Sequence, residues 1–152
     1  MIIIQTIEQA ENLETSDRLM HQLYQTTRAI SKNLNYLLGE YGIFSSEWTI
    51  LKMIKEKGNM SQVALSSYLN IEPAAISKSL VKLEKKGFVE RKVGTDKREK
   101  NIYLTATALE QYPDLIQIVA KHREQTLAAL SKSQQQELIV LLKTMYGNTL
   151  AK

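Results

Sequence analysis

The chain has 152 residues, with 20 Lys and Arg against 16 Asp and Glu, a net charge of +4, and no cysteine. That length suits one domain with a real core and falls short of two large ones. The missing thiols exclude disulfides, cysteine-ligated zinc and cysteine redox sensing. Apolar runs such as Ile2 to Ile4 are far too short for a membrane span or a signal-peptide core, and that one has no basic stretch before it, so a cytoplasmic location is expected.

Residues 1 to 16 read two ways: Ile2, Ile3, Ile4 and Ile7 form an arm that packs on a partner subunit, or a loosely ordered end. From Asp17 a long amphipathic helix is predicted, with Leu19, Leu23, Ile30, Leu34, Leu37, Leu38 and Tyr41 recurring at helical spacing and Gly42 ending it. Ser45 or Ser46 is expected to cap a second helix that carries Trp48, Leu51 and Ile54 inward and closes at Gly58.

Ser61 is a credible N-cap for a short helix to Leu69, and Asn70-Ile71 then allows only a tight turn, since Asn tolerates the left-handed conformation. Glu72-Pro73 opens the next helix, because proline at the first helical position gives up an N–H that would have had no partner. Gly87 stops it. Ile76, Leu80 and Leu83 face inward, while Ala74, Lys78, Val81 and Lys85, flanked by Ser77 and Lys82, form an outer stripe that is small at its start and basic along its length.

Phe88 to Val93 alternates with period two, Gly94 to Glu99 is a polar loop, and Lys100 to Leu104 resumes a strand. Helix, turn, helix and hairpin make a winged helix-turn-helix over residues 45–104. Thr105 is placed to cap a helix reaching about Leu130, with a bend or short break expected near Tyr112 because Pro113 removes a backbone bond. Leu115, Ile116, Val119, Leu127 and Leu130 continue its apolar stripe. Ser131 to Gln134 has the spacing of a capping box and opens a last helix bearing Leu138, Ile139, Leu141, Leu142, Met145 and Tyr146.

Charge follows the same division. Residues 45–104 hold twelve Lys or Arg against seven Asp or Glu, whereas the remainder holds eight against nine. A basic surplus confined to the winged-helix region is the footprint of a module that neutralises phosphates. The predicted fold is therefore mainly α with a small β-hairpin wing, one domain over 1–152, flanked by helical dimerisation regions at 17–42 and 105–150. Those ends are too apolar to be covered by the small module alone, and a two-fold homodimer covers them, with Leu19, Leu23, Leu127, Leu138, Leu141 and Leu142 at its interface. Two recognition helices about one DNA turn apart call for a palindromic site in double-stranded DNA.

Within that module Ala74, Ala75, Ser77 and Lys78 are expected at base edges or adjacent phosphates, and Lys82 and Lys85 at the DNA backbone. Ser61 and Gln62, at a helix N-terminus, are candidates to hold a phosphate through backbone N–H groups, although capping explains Ser61 equally well. Lys97 and Arg98 sit at the wing tip, where a guanidinium suits the negative potential of a narrow A·T groove. His21 and His122, with no second ligand at metal spacing, are assigned to the surface or a dimer interface. No phosphate loop, nucleophile elbow or paired His and Glu is present, so neither an enzyme nor a cofactor or metal is expected.

Leu83-Glu-Lys-Lys-Gly-Phe-Val-Glu-Arg91, then Asp96-Lys-Arg98, then Leu104-Thr105, resemble the multiple-antibiotic-resistance regulator (MarR) family of bacterial transcription factors. The resemblance covers nearly the whole chain. It departs at Ala108, where glycine is frequent, and at Ser66, where alanine is usual. It implies a dimeric DNA-binding regulator, a repressor released by a small phenolic or amphipathic effector, with Arg98 in the minor groove and Asp96 orienting nearby basic side chains. It also implies an effector pocket where the first helix meets the DNA-binding module, for which Tyr36, Tyr41, Trp48 and Met53 are the candidates. The competing reading is a winged-helix protein-interaction module without DNA binding; acidic or apolar replacement of the recognition stripe would favour it, and this sequence has neither.

Overall fold

The computed structural model describes residues 1–94 and 99–150. In chain order they form α1 (Ile2–Leu38), a 3-10 turn (Gly39–Tyr41), α2 (Ser45–Lys57), β1 (Met60–Ser61), α3 (Gln62–Leu69), α4 (Pro73–Lys85), β2 (Val89–Val93), β3 (Lys100–Leu104), α5 (Ala106–Thr126) and α6 (Lys132–Leu150). Two compact units result, Met1–Ile116 and Gln117–Lys152. This is the mainly helical fold with a small antiparallel wing that the periodicities predict.

The first unit is built on α1, which starts at Ile2 rather than Asp17. Residues 1–16 contain neither Gly nor Pro. The groups most able to divert them, the hydroxyls of Thr6, Thr15 and Ser16, instead bond back to the carbonyls of Ile2, Glu11 and Asn12 at 2.9, 3.0 and 2.8 Å. Helix is thereby kept. Gly42, at φ +65°, ends the 3-10 turn that tightens the last residues of this rod.

The start of α2 corrects the expectation of a serine cap. Ser45 N–H donates to Asn35 Oδ1 at 2.6 Å, and Phe44 N–H donates to Glu47 Oε2 at 3.2 Å. A phenyl ring cannot supply the other half of a capping box, so the first turn of α2 is held by α1 and by its own third residue. Leu34, Leu38, Trp48, Leu51, Ile54, Leu65, Ile76, Leu80, Leu83 and Ile102 form the core.

The helix-turn-helix follows the sequence closely. Ser61 Oγ accepts from Ala64 N–H at 3.1 Å, and Asn70 takes φ +50°. Ser66 Oγ donates to Ile71 carbonyl at 2.6 Å, so the hydroxyl where alanine is usual ties the turn shut. Asn70→Val should destabilise the protein by about 1–2 kcal/mol while Asn70→Gly stays near neutral, as read by urea unfolding; equal effects would show that the left-handed backbone is not what Asn70 supplies.

At the far end of α4, Gly87 adopts φ +76° and its N–H donates to Glu84 carbonyl at 3.0 Å, while Phe88 N–H reaches Leu83 carbonyl at 2.9 Å. That is a Schellman stop, and Phe88 is buried behind it. The sheet has the order β1-β3-β2, with Met60 opposite Ile102 and Val89 opposite Leu104. Strand β1 was not predicted, because two residues are too few to show an alternation. Thr105 Oγ1 donates to Gly87 carbonyl at 2.6 Å and accepts from Ala108 N–H at 3.2 Å, joining the end of α4 to the start of α5.

Helix α5 runs through Pro113 without the expected break and ends at Thr126 instead of near Leu130. The carbonyl that Pro113 leaves without a donor belongs to Leu109, an exposed residue. In the second unit Ser131 N–H donates to Gln134 Oε1 at 2.9 Å and Gln134 N–H to Ser131 Oγ at 3.1 Å, the reciprocal capping box that was expected. Helix α6 buries none of its residues: Leu138, Ile139, Val140, Leu141, Leu142 and Tyr146 are all exposed.

Candidate nucleic-acid interface

The outward face of α4 carries Ala74, Ala75, Lys78, Val81, Lys82 and Lys85 in solvent, with Ser77 half-buried beside them. Pro73 at the first helical position leaves the start of this face narrow, and small side chains there let a polyanion approach the backbone closely. Behind it, Ile76, Leu80 and Leu83 are fully packed, so the basic stripe is carried on a rigid rod.

Arg91 braces that rod. Its Nε donates to Glu84 Oε1 at 2.7 Å and its Nη1 to Gln62 Oε1 at 3.2 Å, linking β2, α4 and α3. The side chain of Gln62 is thus engaged with Arg91, and the Ser61 hydroxyl is engaged in capping; what both residues offer a phosphate is backbone at the α3 N-terminus. A recess beside it is lined by Ser61, Gln62, Val63, Arg91, Lys100 and Ile102, with the carboxylate-bearing Glu99 among them.

A second brace was not anticipated. Glu47 is 1% exposed, and both of its oxygens accept from Lys86 Nζ, at 2.9 and 2.7 Å. Lys86 is therefore committed to the fold, unlike Lys78, Lys82 and Lys85, which are exposed. Its Nζ lies 5.2 Å from the Phe44 ring centroid and that of Lys82 lies 5.6 Å from the same ring, so one half-exposed aromatic supports two ammonium groups. Only Glu47's place at the third position of a helix could have signalled this from sequence. On the wing, Lys92 pairs with Glu90 at 2.8 Å and lies over Tyr103, and the hydrogen bond it donates to the Glu90 carboxylate raises its pKa. Asp96, Lys97 and Arg98 lie outside the described residues.

The four candidates for an effector pocket occupy different surroundings. Tyr36 is 84% exposed, whereas Trp48 is 2% exposed and stacks on Tyr112 at 5.2 Å. Tyr41 is half-buried and its hydroxyl donates to Asp114 Oδ2 at 3.4 Å; burial first, then that carboxylate, raises its pKa. Met53 is half-buried. Of the residues assigned to a dimer interface, Leu19, Leu138, Leu141 and Leu142 are exposed on this chain and Leu23 and Leu127 are half-exposed.

His21 is exposed, but His122 is buried, contrary to the surface assignment, and Arg123 Nη1 donates to its Nδ1 at 3.2 Å. An arginine can only donate, so that ring nitrogen is the acceptor. Among the described residues no three His, Asp or Glu side chains are grouped to hold a metal ion, and no helix is long and apolar enough to cross a membrane.

Comparison with known proteins agrees with this geometry. The MarR family model matches residues 43–100. An uncharacterised HTH-type transcriptional regulator of Bacillus subtilis (strain 168), YwoH, is 37% identical over 110 residues, which are 72% of this chain and 80% of that protein. The structure of a MarR protein from Peptoclostridium difficile superposes with a TM-score of 0.79 at 26% identity, covering 86% of each chain. A MarR mutant from E. coli, solved in complex with operator DNA, superposes at 0.78 with 23% identity over 84% of this chain and 93% of that one.

Proposed function

Because this chain belongs to the MarR family of transcriptional regulators, we propose that it acts as a homodimeric, sequence-specific DNA-binding repressor. The observation that carries the reading is the α4 face: small residues at its start, Lys78, Lys82 and Lys85 along it, all in solvent on a helix fixed from behind by Arg91 and Lys86. Ala74, Ala75, Ser77 and Lys78 read base edges, Lys82 and the α3 start contact phosphates, and Lys97 and Arg98, oriented by Asp96, enter the minor groove. The exposed apolar faces of α1 and α6 meet a second copy, which sets two such helices on successive turns of a palindrome.

A small amphipathic or phenolic effector lowers affinity by preferring a spacing of the two helices that DNA cannot accept. Of the four residues assigned to its pocket, Tyr41 and Met53 are the ones whose half-exposure suits contact with a ligand in the free chain.

Anisotropy titrations with duplexes from the upstream region of its own gene test the reading. Lys78→Ala should weaken cognate binding by about tenfold or more and reduce the preference over scrambled duplex, whereas Lys82→Ala should weaken both alike and flatten the log–log salt slope by about one. Absence of any salt-dependent binding by the wild-type protein overturns the proposal.

A further inference from the structure

The residue that precedes α2 is of a type that helix starts avoid. Ser, Thr, Asp or Asn at that position lends an oxygen to an N–H of the first turn, and an apolar side chain lends nothing. Phe44 stands there in extended backbone, at φ −99° and ψ 158°. Its own N–H is taken by Glu47 and that of Ser45 by Asn35, so the ring takes no part in holding the helix start. At 49% exposure it is not core either. A residue that breaks a local rule without a local gain marks a place where another need is met.

What the ring touches is cationic. Lys82 Nζ lies 5.6 Å from its centroid and Lys86 Nζ 5.2 Å. The two ammonium groups differ in one respect: both oxygens of Glu47 accept from Lys86, whereas among the described residues no carboxylate is paired with Lys82. Glu47 thus cancels the charge of Lys86. The uncompensated charge that this cluster turns to solvent is that of Lys82.

From this we infer that Phe44 is a positioning residue for DNA binding, its ring holding the Lys82 ammonium at the edge of the outward face of α4 where a backbone phosphate of the duplex meets it. The inference rests on the DNA-binding reading above and specifies how one of its phosphate contacts is prepared. A lysine carries its charge on a flexible four-carbon stem, and fixing that stem against a phosphate costs rotamer freedom. An aromatic face within about 6 Å attracts the ammonium before DNA arrives and narrows its choice of rotamers. It does so without cancelling the charge. Aspartate at position 44 would cap α2 but compete with the phosphate for Lys82, and serine would cap α2 but leave Lys82 loose.

Anisotropy titrations with cognate and scrambled duplex test this. Phe44→Leu, which keeps apolar bulk and removes the ring, should weaken binding to both duplexes alike by about threefold, and Phe44→Tyr should recover the loss. In a Lys82→Ala background Phe44→Leu should change nothing further, because the ring then has no ammonium to aim. In the free wild-type protein the ring should shift the NMR signals of the protons on Lys82 Cε upfield, and Phe44→Leu should abolish that shift. Wild-type affinity in Phe44→Leu, an undiminished loss in the Lys82→Ala background, or an unshifted Lys82 signal overturns the positioning role. Salt-dependent binding by the wild-type protein alongside any of those three results leaves the regulator reading standing, and its absence removes both.

Discussion

Lys86→Ala is expected to cost about 3–5 kcal/mol of stability, because it strips the cation from a buried carboxylate. Glu47 is 1% exposed and would keep only the Phe44 N–H, at 3.2 Å, against a full negative charge. Glu47→Gln should cost less, about 1–3 kcal/mol, since the amide oxygen still accepts and the Lys86 ammonium left without its anion is 28% exposed. The paired replacement Glu47→Leu with Lys86→Met should recover most of the loss, because removing both partners leaves nothing unsatisfied. Urea unfolding of wild type, Glu47→Leu, Lys86→Met and the two together as a double-mutant cycle gives the coupling directly. Additive single effects would show that the ion pair is incidental. Because Lys86 follows the last residue of α4, the same variants should also blunt discrimination between cognate and scrambled duplex.

The second large effect is expected at Trp48. Its indole is 2% exposed and stacked on Tyr112, so Trp48→Ala opens a cavity between α2 and α5 and should cost about 3–5 kcal/mol. Trp48→Phe keeps a ring against Tyr112 and should cost far less. The comparison matters for any effector study, since a fall in ligand response in Trp48→Ala would first report a damaged core. Tyr112 has a pKa raised by burial and then by Glu56. The stability tied to that shift is fully present below the ordinary tyrosine pKa near 10 and is lost as pH climbs through the raised value. A thermal scan at high alkalinity should therefore show a steeper loss in the wild type than in Tyr112→Phe, and identical profiles would assign the loss elsewhere.

Much of this architecture was legible in the residues. Ser61, Asn70, Pro73, Gly87 and the Ser131 to Gln134 box each announce a helix boundary through local chemistry, and each sits where that chemistry requires. Periodicity gave the inward face of α4, since Ile76, Leu80 and Leu83 cannot all be solvated. What stayed hidden depends on residues distant in the chain. Asn35 takes the Ser45 N–H that a serine cap was expected to satisfy; Met60 and Ser61 become a strand only by lying beside Ile102 and Asn101. Lys86 looks like any member of the basic run until Glu47, 39 positions earlier, is found against it. Tyr36 and Trp48, both aromatic and on adjoining helices, cannot be told apart by sequence spacing, yet one is solvated and the other is core.

The hydroxyl of Thr105 bonds Gly87 on one side and Ala108 on the other. One oxygen atom thus rivets the tail of the reading rod to the first turn of α5, and the hairpin root passes through the same joint. The reading head has no hinge of its own at this point. Any movement of that rod therefore carries the first turn of α5 with it.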